Sequence, residues 1–380
     1  RKHVFLLLCL FPGTLGMASQ VFPAPGATMR AAAVSRFGIA DEVLSCVPDF
    51  TKPIVKEGSG DMLVKVLALS LSPGDWRTIM GDADLFRTPK SWPYVPGGDV
   101  CGVVEAIDPA CKDTKFSVGQ TVVSTWEGTA WGGMAEYALV KPKFSAALPK
   151  GLSPEEGAAL ANSAGHALNG LRKAKVKPGD RVLVLGGSGG VGCSLLQILK
   201  ALGASYVAAT STDAALCTSL GADRVINYNE QPWYAVSEFN KEKFDIVIDL
   251  AEGNSAWKRS SRVAKPAWRG GRHVTFVLHE WHIEIHSIRH ILGFMLMPML
   301  VRPLWSLLMG FVKPRYTAYI GGVSSEVLEE VLSLTSKGQH RAVIDPEGPF
   351  PFTTEGVRAA FRRLASRHAK GKVVVKIADA

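Results

Sequence analysis

One turn constrains this chain of 380 residues more than any other feature. Leu183-Val184-Leu185-Gly186-Gly187-Ser188-Gly189-Gly190-Val191-Gly192 carries a GxGxxG spacing at Gly187, Gly189 and Gly192. The apolar residues 181–185 ahead of it read as a strand, and 191–202 read as an amphipathic helix. Glycines also cluster in ordinary turns, so the spacing gains meaning only from the strand before it and the helix after it. Bare backbone can approach a pyrophosphate closely, and a helix start offers free N–H groups and a partial positive charge. The turn therefore reads as a dinucleotide site.

The strand that follows bears on which dinucleotide. An NAD site places a carboxylate at the end of that strand, where it holds the ribose 2′-hydroxyl. Here 206–210 ends in Ala209-Thr210-Ser211, and Thr210 and Ser211 offer hydroxyls that can donate to a 2′-phosphate. Asp213 stands later and reads as a cap for the next helix, 214–220. No Arg or Lys follows nearby in the sequence to clamp a phosphate, yet the missing carboxylate favours NADP(H).

Around this site the chain alternates. Strands at 245–250, 273–278 and 318–322 and a helix at 326–336 continue a strand-helix pattern, which predicts an α/β, doubly wound parallel sheet. The pattern begins at Ser153-Pro154-Glu155-Glu156, where an N-cap, a proline at the first helical position and a capping-box Glu coincide. Before it, short strands at 29–34, 62–69, 101–107 and 121–124 lie between turn residues, and Pro48, Pro53, Pro73, Pro93, Pro96 and Pro109 break any helical reading. That predicts a barrel-like β domain over 29–150, a cofactor domain over 151–340 with an apolar insert at 281–315, and a segment 341–380 that returns to the first domain. Residues 1–28 read as a leader. Arg1-Lys2-His3 followed by an apolar run fits a targeting signal, while Met17 or Met29 fits a mis-set start, and both readings stay open.

The net charge of +9 points to anionic partners. Nucleic acid is disfavoured, because no element interleaves aromatics with Lys and Arg. The densest basic run, 358–372, reads as a solvated helix face followed by a strand. The six cysteines form no CxxC pair and keep no metal-ligand spacing with His, which suits a reducing compartment and no structural metal. Cytoplasmic placement follows, or an organelle if the leader is genuine.

Several stretches together resemble the medium-chain dehydrogenase/reductase superfamily, quinone oxidoreductase type. They are Pro73-Gly74-Asp75-Trp76-Arg77, Val95-Pro96-Gly97-Gly98-Asp99-Val100, Lys177-Pro178-Gly179-Asp180-Arg181-Val182, the Gly-rich turn, and Leu220-Gly221-Ala222-Asp223 with Ile226-Asn227-Tyr228. The tail His368-Ala369-Lys370-Gly371-Lys372 is similar to that of the reticulon-4-interacting-protein-like branch. The resemblance implies a GroES-like catalytic domain, a Rossmann domain and a cleft between them. It implies NADP(H) contacts from Gly187, Ser188, Gly189, Gly190, Val191, Gly192, Thr210, Ser211, Tyr228 and Lys372. The family's zinc alcohol dehydrogenases carry Cys where Ser72 stands and a His-Glu pair where Gly98-Asp99 stand, so a catalytic zinc cannot be assembled here. Hydride transfer to a quinone or other α,β-unsaturated carbonyl is then the implied reaction, with Ser72, Asp75 and His166 as the catalytic candidates. Ser72 could polarise a carbonyl or satisfy local backbone, Asp75 could order its loop, and His166 could donate a proton or simply pack.

Two other functions stay open: an NADPH-binding interaction or regulatory protein with little turnover, and an enoyl reductase acting on acyl chains. Dimers are common in similar proteins, so a homodimer stands among the expected partner states. The apolar run 291–312, interrupted by Pro298, Arg302 and Pro303, reads as two short helices packed on the cofactor domain or lying on a membrane surface. Of the two, packing is the expected state.

Overall fold

The computed structural model describes residues 26–82, 89, 91–111, 114–125, 132–278 and 296–379, and both readings of the leader fall almost wholly outside them. The chain opens with β1 (Thr28–Val34), β2 (Leu44–Thr51), β3 (Met62–Ser70), β4 (Asp99–Ile107), β5 (Thr121–Ser124), β6 (Tyr137–Val140) and β7 (Ser145–Ala147). β1 and β2 form an antiparallel ribbon, while β3 pairs antiparallel with both β4 and β6. All of β3 except Lys65 is buried, as expected of a strand covered on both faces. One proline works against its sequence reading. Pro73 starts the helix Pro73–Met80 instead of breaking one, because its missing N–H falls where a helix has no use for it.

The second sheet contains β8 (Arg181–Leu185), β9 (Tyr206–Thr210), β10 (Arg224–Ile226), β11 (Ile246–Asp249), β12 (Arg272–Thr275) and β13 (Arg315–Ala318), all parallel to their neighbours. Its order, β10-β9-β8-β11-β12-β13, reverses between β8 and β11. In an open parallel sheet the ligand crevice lies at such a reversal, beyond the carboxyl ends of the strands. The strand expected at 318–322 is Arg315–Ala318 instead. β12 runs out opposite Ala318, and Tyr319 N bonding Thr275 O is the last rung.

The C-terminal part supplies β14 (Phe350–Pro351) and β15 (Val374–Lys376) to the first sheet, with β15 antiparallel to β3. Phe361 and Val375 join the core of β1–β6 there. The helix Thr354–Ala365 carries the first part of the basic run, where Arg362 is exposed while Arg358 Nε donates to Leu44 O at 2.8 Å and Arg363 to Asp345 at 2.9 Å. We propose 29–150 with 341–380 as one unit and 151–340 as the other.

The units share a core. Ser153 caps Pro154–Ala161 in the expected box, its Oγ accepting from Glu156 N at 3.1 Å while Glu156 accepts from Ser153 N at 2.8 Å. Ala158 and Leu160 of that helix belong to one buried cluster with Cys101 and Val123 of the first sheet and Val182 and Ile248 of the second. Trp233, Phe239 and Phe244 cover the opposite face of β8 and β11. The five cysteines among the described residues are free thiols.

Candidate active site

β8 ends at Leu185, and Gly186 turns the chain with φ +92°, a conformation that a side chain resists. The helix Gly190–Ala201 starts at once, so its first N–H groups point out of the turn without intrahelical partners. A Cβ on Gly192 would lie 2.1 Å from Gly186 O, and one on Gly190 would lie 2.8 Å from Lys372 Cδ. The turn is a bare-backbone cradle, of the shape and polarity that a pyrophosphate fits.

Behind the cradle, Thr210 corrects its sequence reading. It is buried, and its hydroxyl accepts from Gly186 N at 3.0 Å while its carbonyl accepts from Gly187 N at 2.9 Å. It braces the turn instead of facing a 2′-phosphate. Ser211 is buried as well, its Oγ donating to Ser188 Oγ at 2.7 Å and accepting from Asp213 N at 2.9 Å. Asp213 caps the next helix as expected, accepting from Leu216 N at 2.9 Å. Tyr228 is 45% exposed, two residues past Ile226, whose carbonyl accepts from Ser211 N. Two bonds from the far end of the chain reach this strand end. Lys370 Nζ donates to Thr212 Oγ1 at 2.8 Å across 158 residues, and Gly371 N donates to Ser188 O at 2.8 Å.

On the other side of the cradle, Lys372 is buried with its stem against Gly190. Its ammonium donates to Leu71 O at 2.7 Å and Ser72 Oγ at 3.0 Å, and lies 3.6 Å from Asp99 Oδ2. Ser72 Oγ in turn donates to Asp99 Oδ2 at 2.9 Å. Burial pushes the Lys372 ammonium below its ordinary range, while Asp99 and Asp75 pull it back up. Asp75 accepts from Ser72 N at 2.7 Å and so caps the Pro73–Met80 helix. That geometry supports its loop-ordering reading over direct catalysis.

His166 Nδ1 lies 2.9 Å from Tyr319 Oη. Burial, followed by the charge of Lys372, depresses its pKa to about 4. Near neutral pH the ring is uncharged, so His166 is not an imidazolium acid, although it can orient the Tyr319 hydroxyl. Tyr319, Asp99 and Lys370 escaped the sequence reading as site residues. Asp99 and Lys370 stood in the sequence only as members of family-like motifs, with no site role given to them, and nothing local marked Tyr319.

Residues 58–150 match the family model described as alcohol dehydrogenase GroES-like domain, and 220–375 the one described as zinc-binding dehydrogenase. A 2-methylene-furan-3-one reductase of Solanum lycopersicum is 33% identical over 91% of this chain and 79% of its own. The chain belongs to the medium-chain dehydrogenase/reductase superfamily. An NADPH-dependent alkenal/one oxidoreductase, chloroplastic, of Arabidopsis thaliana is 31% identical over the same shares. The solved quinone oxidoreductase of Coxiella burnetii superposes with a TM-score of 0.72 at 25% identity, covering 92% of this chain and 100% of that one.

One name in this superfamily does not fit the residues present. Zinc needs neutral or anionic donors converging on one point. At the candidate position Ser72 and Asp99 converge instead on the Lys372 ammonium, which would repel a second cation. Among the described residues no group of three or more His, Cys, Asp or Glu could hold a metal.

Proposed function

We propose that this medium-chain enzyme is a zinc-free, NADPH-dependent reductase of quinones or other α,β-unsaturated carbonyls. The observation that carries the reading is the Lys372–Ser72–Asp99 cluster set directly against the glycine cradle. Bound NADPH supplies a hydride. Ser72 already accepts from Lys372, so it can turn its own proton from Asp99 to a substrate carbonyl oxygen. The ammonium behind it stabilises the negative charge that grows there. Lys370 beside Thr212 supports NADPH over NADH, since a cation at the end of β9 favours a 2′-phosphate. Ser188 and Tyr228 complete the proposed cofactor contacts, with Ser211 holding the Ser188 hydroxyl in place. His166 and Tyr319 are proposed as a second polar wall of the cleft.

NADPH oxidation by purified protein against quinones, enones and an enoyl thioester tests the reading. Turnover of the first two supports it, and preference for the thioester makes the chain an enoyl reductase acting on acyl chains. Tight NADPH binding without turnover of any acceptor would leave an interaction or regulatory protein. We extend the proposal to a second copy of the chain as partner, to be checked by light scattering. Cytoplasmic placement is proposed unless residues 1–28 direct the chain elsewhere, which fractionation of the chain with and without them decides.

A further inference from the structure

The stretch 296–312 has its polarity reversed. Met297–Val301 and Arg302–Leu308 run on as consecutive helical turns, and their buried positions are Pro298, Arg302 and Ser306, spaced four apart on one face. Arg302 is 5% exposed, and its guanidinium donates to Leu278 O at 2.8 Å, Asn254 Oδ1 at 2.9 Å and Tyr316 Oη at 3.2 Å. The solvent face carries Leu300, Leu304, Trp305, Leu307, Leu308 and Phe311, all more than half exposed, with Phe311 at 82%. A helix between protein and water puts its apolar stripe inward. Here the polar groups are satisfied inside and the apolar ones stand outside, the kind of exposed apolar face that marks an interaction surface.

Charge says what covers this face. From 254 to 325 the sequence holds only two carboxylates, Glu280 and Glu284. Among the described residues, Arg269 is an exposed cation, and half-buried Lys313 donates to Lys258 O at 3.4 Å, which brings exposed Lys258 beside it. Ala267 N donates to Lys313 O at 2.8 Å and Trp268 N to Gly310 O at 3.2 Å, so exposed Trp268 and Arg269 border the Phe311 end. Among the described residues no helix is long and apolar enough to cross a membrane.

We propose that this face docks on an anionic phospholipid surface, with its Leu, Trp and Phe side chains in the headgroup layer and the cations against lipid phosphates. A second copy fits less well, because a two-fold pairing through this patch would set its cations against themselves. A membrane surface offers apolar depth and negative charge together. Docking stands apart from the reductase reading, since vesicle binding needs no turnover.

The test is flotation of the full chain with vesicles of phosphatidylcholine alone and of phosphatidylcholine mixed with phosphatidylglycerol. Binding is expected on the mixed vesicles, with weakening as salt rises and little on the neutral ones. L304E combined with L308E, and separately F311E, should lower the bound fraction on the order of tenfold or more. An unchanged NADPH fluorescence titration certifies that these variants are folded. A wild type that stays unbound on the mixed vesicles overturns the proposal, and so do variants that bind as well as it does. A dimer that the same variants split, with no vesicle binding, would assign the face to a second copy and also overturn it.

Discussion

The Lys372 ammonium donates to Ser72 Oγ at 3.0 Å, although 300 positions separate the two in the chain. Ser72 donates onward to Asp99, so an ammonium, a hydroxyl and a carboxylate share one pocket beneath the glycine cradle. Removing the ammonium takes this ion pair from Asp99.

Lys372→Met should therefore lower unfolding free energy by about 3–5 kcal/mol, the usual cost of breaking a buried ion pair by removing one partner. It should also reduce kcat by at least about tenfold, through lost stabilisation of the growing oxyanion. Adding Asp99→Asn to Lys372→Met should recover part of the stability without restoring turnover. Denaturant unfolding of the singles and the double measures the coupling, and strictly additive losses would mean that the pair does not act as one.

Lys370 is expected to discriminate between cofactors. Lys370→Ala should weaken NADPH binding about tenfold or more while changing NADH by less than about twofold, and the wild-type preference should shrink as salt rises. Competing fluorescence titrations of both nucleotides check it. Equal losses for the two nucleotides would place Lys370 away from the 2′-phosphate.

Acid should unfold this protein early. His273 is fully buried between Trp257 and Tyr316, with neither ring nitrogen hydrogen-bonded among the described residues, and burial holds its pKa at about 3. His166 and His340 are each depressed to about 4, first by burial. All three titrate near 6.5 once unfolded. Their folded values are lower, so the unfolded chain binds more protons, and stability present above about pH 6.5 drains as pH falls. Each fully engaged histidine contributes a slope of about 1.4 kcal/mol per pH unit. His273→Phe should flatten the acid limb of a thermal-midpoint profile by one such increment, and an unchanged limb would place the acid sensitivity elsewhere.

Zinc should be dispensable. Elemental analysis of purified protein is expected to find no stoichiometric zinc, and chelators should leave NADPH oxidation intact, because Lys372 fills the position where a metal would need ligands. One zinc per chain would overturn the zinc-free assignment.

The elements legible in the sequence are those whose signals are local. The Ser153–Glu156 box, the Asp213 cap and the glycine turn lie within a few residues of their partners, and β8 and β9 match their expected bounds residue for residue. Strand-helix alternation is likewise written at short range, so the parallel sheet follows from pattern alone. Pro73 shows the limit of that reading, because a proline breaks a helix interior and starts a helix equally well.

What only the tertiary structure decided is which distant residues share a pocket. Thr210 looked free to meet a phosphate, but folding buries it and turns its hydroxyl toward Gly186 N. Lys372 meets Ser72 because β15 returns to β3, and Tyr319 meets His166 just past the end of β13. Arg302 reads as a charge interrupting an apolar run, and folding turns it inward to Leu278, Asn254 and Tyr316. The sequence by itself determined the fold class and the cradle, since helix capping, strand period and turn geometry act over three or four residues. The charged half of the site was decided by strand pairing and burial, which join residues hundreds of positions apart and leave no local periodicity to read.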